Sequence, residues 1–236
     1  MEDVLLKILL AVGLCCVIAG VFLLLPSKDS EQEEVGKQDP VIVEGVTDEY
    51  FGLDFDYLKS LNENFVGKLT VGELVYESVV KSADNMEYAE KNLELQSYGI
   101  GTVFMDCRNE MEDMNLILYG NTVYSEKELR FGPLHNLIDQ KSYNQNKTIV
   151  FQLENQEREF EIVAVLHFDL NVTDVDYAIT NYTEDQFAAY LNYIDEHNLI
   201  DSETDLTYGD HMLTLQTDVE NMPEVKLVVV AKEVNR

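Results

Sequence analysis

Phe160-Glu161-Ile162-Val163-Ala164-Val165-Leu166-His167-Phe168 is apolar almost without interruption. A strand with one face in water would alternate, so a run this continuous reads as a strand covered on both faces. Val225 to Ala231 has the same character near the end of the chain. Outward from these two runs, Ile149, Phe151 and Leu153 alternate with polar residues, as do Leu213, Leu215 and Thr217. Gly101 to Cys107 and Asn115 to Tyr119 are shorter apolar runs bounded by turn signals, which suits buried strands. Helices are inserted among them. Phe55, Leu58 and Leu61 recur at helical spacing ahead of Gly67 and a strand-like Lys68-Leu69-Thr70-Val71, and Asp84 to Leu93 is a second short helical segment. After residue 140 one helix is expected: Thr183-Glu184-Asp185-Gln186 forms a capping box before a stripe of Phe187, Tyr190, Leu191 and Ile194. The fold class is therefore mainly β with inserted helices, a closed or half-closed β-barrel.

The chain has 236 residues with 45 acidic and 16 basic side chains, a net charge of -29, yet 46% of it is hydrophobic. Disorder throughout is excluded, and so is a phosphate-backbone partner, because lysine and arginine cluster nowhere; no nucleic acid is expected to bind. The apolar residues are unevenly spread. Val4 to Leu25 is broken only by Lys7 and closed by Pro26. At ~1.5 Å per residue it spans a ~30 Å hydrocarbon core. Phe22-Leu23-Leu24-Leu25-Pro26 offers no small-x-small cleavage site, so the run reads as an uncleaved transmembrane helix, with Cys15 and Cys16 as apolar fillers. Residues 1–26 are thus an N-terminal membrane anchor, contacting the membrane through residues 4–25. Residues 27–48 are an acidic stalk with too few large apolar side chains to pack, and 49–236 are the folded domain. Lys7 precedes most of the span while Lys28 and Lys37 follow it, so charge does not favour a cytoplasmic N-terminus. The short N-terminal stub still makes a single-pass protein of the cell membrane, with its C-terminal domain outside, the simplest layout. Without residues 1–25, which carry Glu2, Asp3 and Lys7, 43 acidic and 15 basic residues remain. Cys107 is the one thiol of that part, so no intramolecular disulfide is expected there.

Several segments together resemble the class B sortases, membrane-anchored cysteine transpeptidases of Gram-positive bacteria. Leu53 to Asn62 through Val66-Gly67 is similar to the family's N-terminal helix and its entry into the barrel. Val79-Val80 with Asp84-Asn85 and Tyr88, Gly101 to Asn109, and Asn115-Leu116-Ile117-Leu118-Tyr119-Gly120 follow in the family's order. Phe131-Gly132-Pro133-Leu134 falls where the family has Met-Phe-x-x-Leu, and Tyr208 to Thr217 resembles the strand that ends at the catalytic cysteine. The resemblance covers most of the domain and implies a sortase-like closed β-barrel with N-terminal helices.

The resemblance also implies a catalytic histidine, cysteine and arginine, and all three positions are changed. Asn121 stands for the histidine after Tyr119-Gly120, Asp218 for the cysteine after Thr217, and Lys226 for the arginine of the last strand. A carboxylate attacking an amide would have to form an acyl anhydride, and it lacks the nucleophilicity of a thiolate. Asn121 does not titrate near neutrality, so it cannot carry the proton to a leaving amine. Lys226 keeps the positive charge but loses the bidentate fork. The expectation is a catalytically inactive module that binds a surface-protein sorting peptide or a partner in surface-protein or pilus assembly. The alternative is a working transpeptidase of class B type with Asp218 in an unusual role.

Two arrangements of the changed residues are open. Asp218 and Lys226 pair on neighbouring strands, with Asn121 donating to the carboxylate, or the three lie apart and solvated at the mouth of a cleft. Cys107 reads as ordinary strand packing, and His135, His167 and His197 as surface or structural residues. If Met212 to Asp218 is extended, residues 212, 214, 216 and 218 share a face and His211 points to the other. No His, Cys or carboxylate spacing matches a metal site, Asp218 with Glu220 or Glu224 lacks the ligand run of a calcium loop, and no cofactor is expected.

Overall fold

The computed structural model describes residues 48–172 and 174–235. The expected anchor, Val4 to Leu25, and nearly all of the expected stalk lie outside them. Among the described residues no helix is long and apolar enough to cross a membrane.

Eight strands close into one barrel. They are β1 (Phe65–Val71), β2 (Val75–Val80), β3 (Val103–Met105), β4 (Asn115–Tyr119), β5 (Thr148–Leu153), β6 (Glu157–Asp169), β7 (Met212–Val219) and β8 (Met222–Asn235). Around the barrel the order is β1-β2-β3-β4-β7-β8-β6-β5, and β5 pairs back with β1. Closure leaves no free edge, which removes the template for strand-to-strand association that an open sheet carries. Two pairings are parallel, β2 with β3 and β4 with β7. Each therefore needs a long connection. The segment between β2 and β3 holds only a 3₁₀ helix, Glu87–Ala89, whereas everything from β5 to the last long helix lies between β4 and β7.

The continuous apolar runs are the two longest strands, and both of their faces are covered. Ile162 and Val165 of β6 and Leu227, Val229 and Ala231 of β8 join the core inside the barrel. Ala164, Leu166 and Phe168 with Val228 and Val230 face outward, under a second core. That outer core is supplied by the long helix Glu184–His197, whose Phe187, Tyr190, Tyr193 and Ile194 are buried. Thr183 caps it as a full capping box with Gln186, satisfying N–H groups that the first turn leaves open. A third core lies under the N-terminal helix α1 (Phe55–Leu61), where Leu58 meets Phe65, Tyr88, Leu93 and Phe104.

Three sequence expectations change. Asp84 to Leu93 is not a helix beyond the Glu87–Ala89 turn. Asp84 accepts from Met86 and Glu87 N–H in the manner of an N-cap, but the chain then enters a small antiparallel loop closed by the Lys91–Ser97 bridge. A second helix follows residue 140, α2 (Gln140–Asn146), capped by Asp139 through Ser142 N–H and preceded by the 3₁₀ helix Gly132–Ile138. The long helix is therefore α3. Third, Cys107 does not pack within a strand, because β3 ends at Met105 and the half-buried thiol sits in the following turn.

Candidate functional site

The register of β4, β7 and β8 brings the three changed positions to one end of the barrel. Tyr119 lies opposite Gln216 in the parallel β4–β7 pair, and Gly120 N–H continues the ladder by donating to Gln216 O at 3.1 Å. Asn121 therefore leaves β4 beside the stretch Thr217–Asp218. In the antiparallel β7–β8 pair Asp218 lies directly opposite Lys226. Leu213 and Leu215 point into the barrel core while Met212 joins the outer core. By the strand's alternation Thr214, Gln216 and Asp218 share that outer face with Met212, as expected. His211 is turned to Asp113, its Nδ1 3.2 Å from the Asp113 carbonyl. α3 covers the outer face at one end only, and Asp218 is 46% exposed.

The two open arrangements resolve into a third. Lys226 Nζ donates to Asp218 Oδ1, so the pair forms. Asn121 takes no part in it. Its Nδ2 donates to Ala89 O and to Ile100 O, each at 2.9 Å, fixing the segment before β3 instead. One amide nitrogen carries two N–H groups and can serve both carbonyls, which a neutral imidazole with a single N–H cannot.

His135, expected as a surface or structural residue, is half-buried behind the site. Its Nε2 lies 3.0 Å from the backbone O of Asp218. A carbonyl only accepts, so Nε2 is the nitrogen that carries the proton. Burial holds the imidazole below its ordinary pKa. Thr122 Oγ1 is 3.5 Å from the same nitrogen and 2.7 Å from Thr217 Oγ1. A nitrogen that already bears its proton cannot take one from Thr122, so this group is no nucleophile–base pair in the geometry seen. Cys107 lies away from these positions. Asp106 N–H donates to Ile117 O, which places Cys107 toward the start of β4, whereas Asn121 lies past its end. The separation along the strand is about 15 Å.

Two tyrosines flank these positions, Tyr177 buried in the outer core and Tyr124 exposed. Tyr177, from the long connection after β6, donates to Gln216 Oε1 at 3.1 Å. Burial, with the added charges of Asp176 and Asp218, pushes its phenol up to about 12. Tyr124, 40% exposed, is raised by burial and by Asp218 and Glu220. Across the site Lys127 Nζ reaches Glu220 Oε2 at 3.1 Å, joining the segment after β4 to the β7–β8 turn. Sequence reasoning singled out neither tyrosine, and neither carries a motif of its own. Among the described residues no group of three or more His, Cys, Asp or Glu side chains is arranged to hold a metal ion.

The wall beside Tyr119 is held by Asp106. Burial would raise this carboxyl, but Arg108, which bonds it through both side chain and backbone, and Tyr119 Oη outweigh that and bring it to about 2. Arg108 also donates to Ala178 O in the Tyr177 segment. A carboxylate depressed in the folded state contributes stability above its unfolded pKa and loses it as pH falls through the folded value. Chemical denaturation should show a loss of about 2 kcal/mol between pH 4 and 2 that is absent in Asp106→Asn. An unchanged acid limb in that variant would place the titration elsewhere.

No protein-family model matches the sequence. Among curated proteins, sortase B of Staphylococcus aureus is 29% identical over 185 residues, 75% of this chain and 73% of that protein. Solved structures of the same kind superpose on the barrel. Sortase B of Bacillus anthracis in complex with AAEK1 has a TM-score of 0.67 at 26% identity, covering 77% of this chain and 84% of its own. Clostridium perfringens sortase B has a TM-score of 0.69 at 23% identity, covering 77% of this chain and 100% of its own. The latter likeness speaks for the fold alone.

Proposed function

The chain is a member of the class B sortase-like family, and from that premise we propose that its domain is a catalytically silent binding module. It is held outside the cell membrane by residues 4–25, and it receives the sorting peptide of a surface protein or a partner in surface-protein assembly. One observation carries the reading: the residues at the three reactive positions are committed to one another or to backbone. Asp218 is paired with Lys226 and Asn121 holds Ala89 and Ile100. The nearby imidazole of His135 donates to the Asp218 carbonyl, and the domain's thiol is on a different turn.

What remains is a face suited to an extended peptide. Gln216 and Asp218 on β7 and Lys226 on β8 supply polar groups, with the exposed Tyr124 beside them and the buried Tyr177 holding Gln216 from below. Aromatic walls with a few fixed polar groups are the usual makeup of a binding cleft. Titrating the full-length protein with sorting peptides of surface proteins should give saturable binding weakened by Tyr124→Ala, a change at a tyrosine that is 40% exposed. Absence of binding to every such peptide, with no partner crosslinked at Tyr124, would remove the reading.

A further inference from the structure

The segment that Asn121 fixes carries an unusual concentration of exposed apolar side chains. Met86, 76% exposed, Leu95, 49%, and Tyr98, 40%, all fall within Met86–Tyr98. Met86 and Leu95 line the same hollow of about 610 Å³, rimmed by Asp84, Glu87, Glu90 and Lys91. Leu95 holds φ at 62°. A left-handed conformation costs a non-glycine residue on the order of 1 kcal/mol. Here it presents a leucine to water where glycine or asparagine would close the turn more easily.

The segment is held in this form. Tyr98 N–H donates to Glu90 O at 2.7 Å, Asn92 N–H to Gln96 O at 3.0 Å and Leu95 N–H to Asn92 O at 3.0 Å. Leu93 is fully buried and its carbonyl accepts from Asn62 Nδ2 at 2.7 Å. At the base Asn121 grips Ala89 and Ile100, and Arg130 Nε donates to Gly101 O at 2.8 Å. Gly101 has φ 70°, and a Cβ there would meet Ala89 O at 2.5 Å, so the base tolerates no side chain. An exposed apolar surface that is already ordered loses little entropy on binding.

We propose that the Met86–Tyr98 loop is a docking surface for a basic, apolar-bearing segment of a partner protein, with an apolar side chain of that segment entering between Met86 and Leu95. The rim decides the partner's charge. Asp84, Glu87 and Glu90 face one lysine, Lys91, which is already paired with Glu87 at 3.1 Å. A second copy of a chain with net charge -29 is repelled from this surface, as is an anionic membrane. Lysine or arginine flanking an apolar residue is what both features attract. The surface is separate from the β7–β8 cleft, so the inference goes beyond the proposed function and does not rest on it.

The test uses the full-length chain in neutral detergent and a fluorescent peptide of alternating lysine and leucine. Saturable binding is expected, falling about ten-fold in Met86→Ser/Leu95→Gly, which is a loss of roughly 1.4 kcal/mol. Both side chains are exposed and Leu95→Gly relieves the backbone, so the variant should melt no lower than the parent. A lysine–serine peptide should bind about as weakly as the variant, and a glutamate–leucine peptide not at all. Equal affinity in parent and variant, equal affinity for the serine peptide, or no binding by the parent would each overturn the proposal. So would self-association abolished by the double substitution, or binding to phosphatidylglycerol vesicles that the substitution abolishes. A β7–β8 cleft that takes no sorting peptide would leave these results untouched.

Discussion

Replacing Arg130 by methionine is expected to lower the unfolding free energy by about 3–5 kcal/mol at pH 9, the usual cost of leaving a buried charge without its partner. Val75, Glu77 and Val79 alternate along β2, and the two valines lie in the core inside the barrel. Glu77 is fully buried, and Arg130 Nη1 reaches its Oε2 at 2.7 Å. The other oxygen, Oε1, has no partner among the described residues. Arg130 itself holds φ at 52°, a conformation maintained by its pairing with Glu77 and Gly101 O. Burial pushes the Glu77 carboxyl up to about 8, with Arg130 pulling against it. A carboxyl raised in the folded state stabilises fully below its unfolded pKa and loses that contribution as pH rises through the folded value. Stability should therefore decline from about pH 4.5 to 8. Glu77→Gln, which cannot ionise, should flatten that decline, and Arg130→Met should cost more at pH 9 than at pH 6. Denaturation curves at the two pH values decide it; equal stability of parent and Arg130→Met at pH 9 would show the pair to be unimportant.

The second large effect is catalytic. Asn121→His, Asp218→Cys and Lys226→Arg introduced together are expected to give transpeptidation at least about 1,000-fold above the parent, on the scale that loss of a nucleophile or base costs an acyl-transfer enzyme. The backbone supports this. The β7–β8 register already sets position 218 opposite 226, and the Gly120 N–H bond to Gln216 O brings the end of β4, just before position 121, alongside β7. Asp218→Cys alone should stay near background, because the amide of Asn121 cannot serve as a base and is turned to Ala89 and Ile100. The cost of the triple change is the clamp on those two carbonyls. Hydrogen exchange should accordingly rise in residues 89–101 while the barrel strands stay protected. A triple variant that folds, exchanges as the parent does and remains inert would mean that the strands no longer support the reaction.

Strand content was legible in the sequence because apolar continuity and alternation report burial directly. β6 and β8 read as covered on both faces, and they are. α3 was legible for the same reason, through its cap and its stripe. Asp84 misled because its carboxylate serves Met86 and Glu87 N–H just as an N-cap would, and a local cap does not state how far a helix continues. The Asp218–Lys226 pair was one of two arrangements open to an eight-residue spacing across a tight turn. The direction of Asn121 was not legible, because its partners are backbone carbonyls 21 and 32 residues away. The contact that His135 makes was hidden for the same reason, its partner being the carbonyl of Asp218, 83 residues on. Backbone carbonyls carry no side-chain signature, so contacts to them come only from the fold. Glu77 occupies an inward position whose neutralisation by Arg130 depends on a segment 53 residues distant.

The reading of the domain as a binder that performs no transpeptidation rests on the commitment of Asp218 to Lys226. The most direct measurement incubates the parent protein with a surface-protein sorting peptide and an amine acceptor, and follows peptide and products by mass spectrometry. Intact peptide and no acyl adduct on the protein are expected. Amide product that forms with the parent and disappears in Asp218→Ala would show Asp218 to be a working nucleophile.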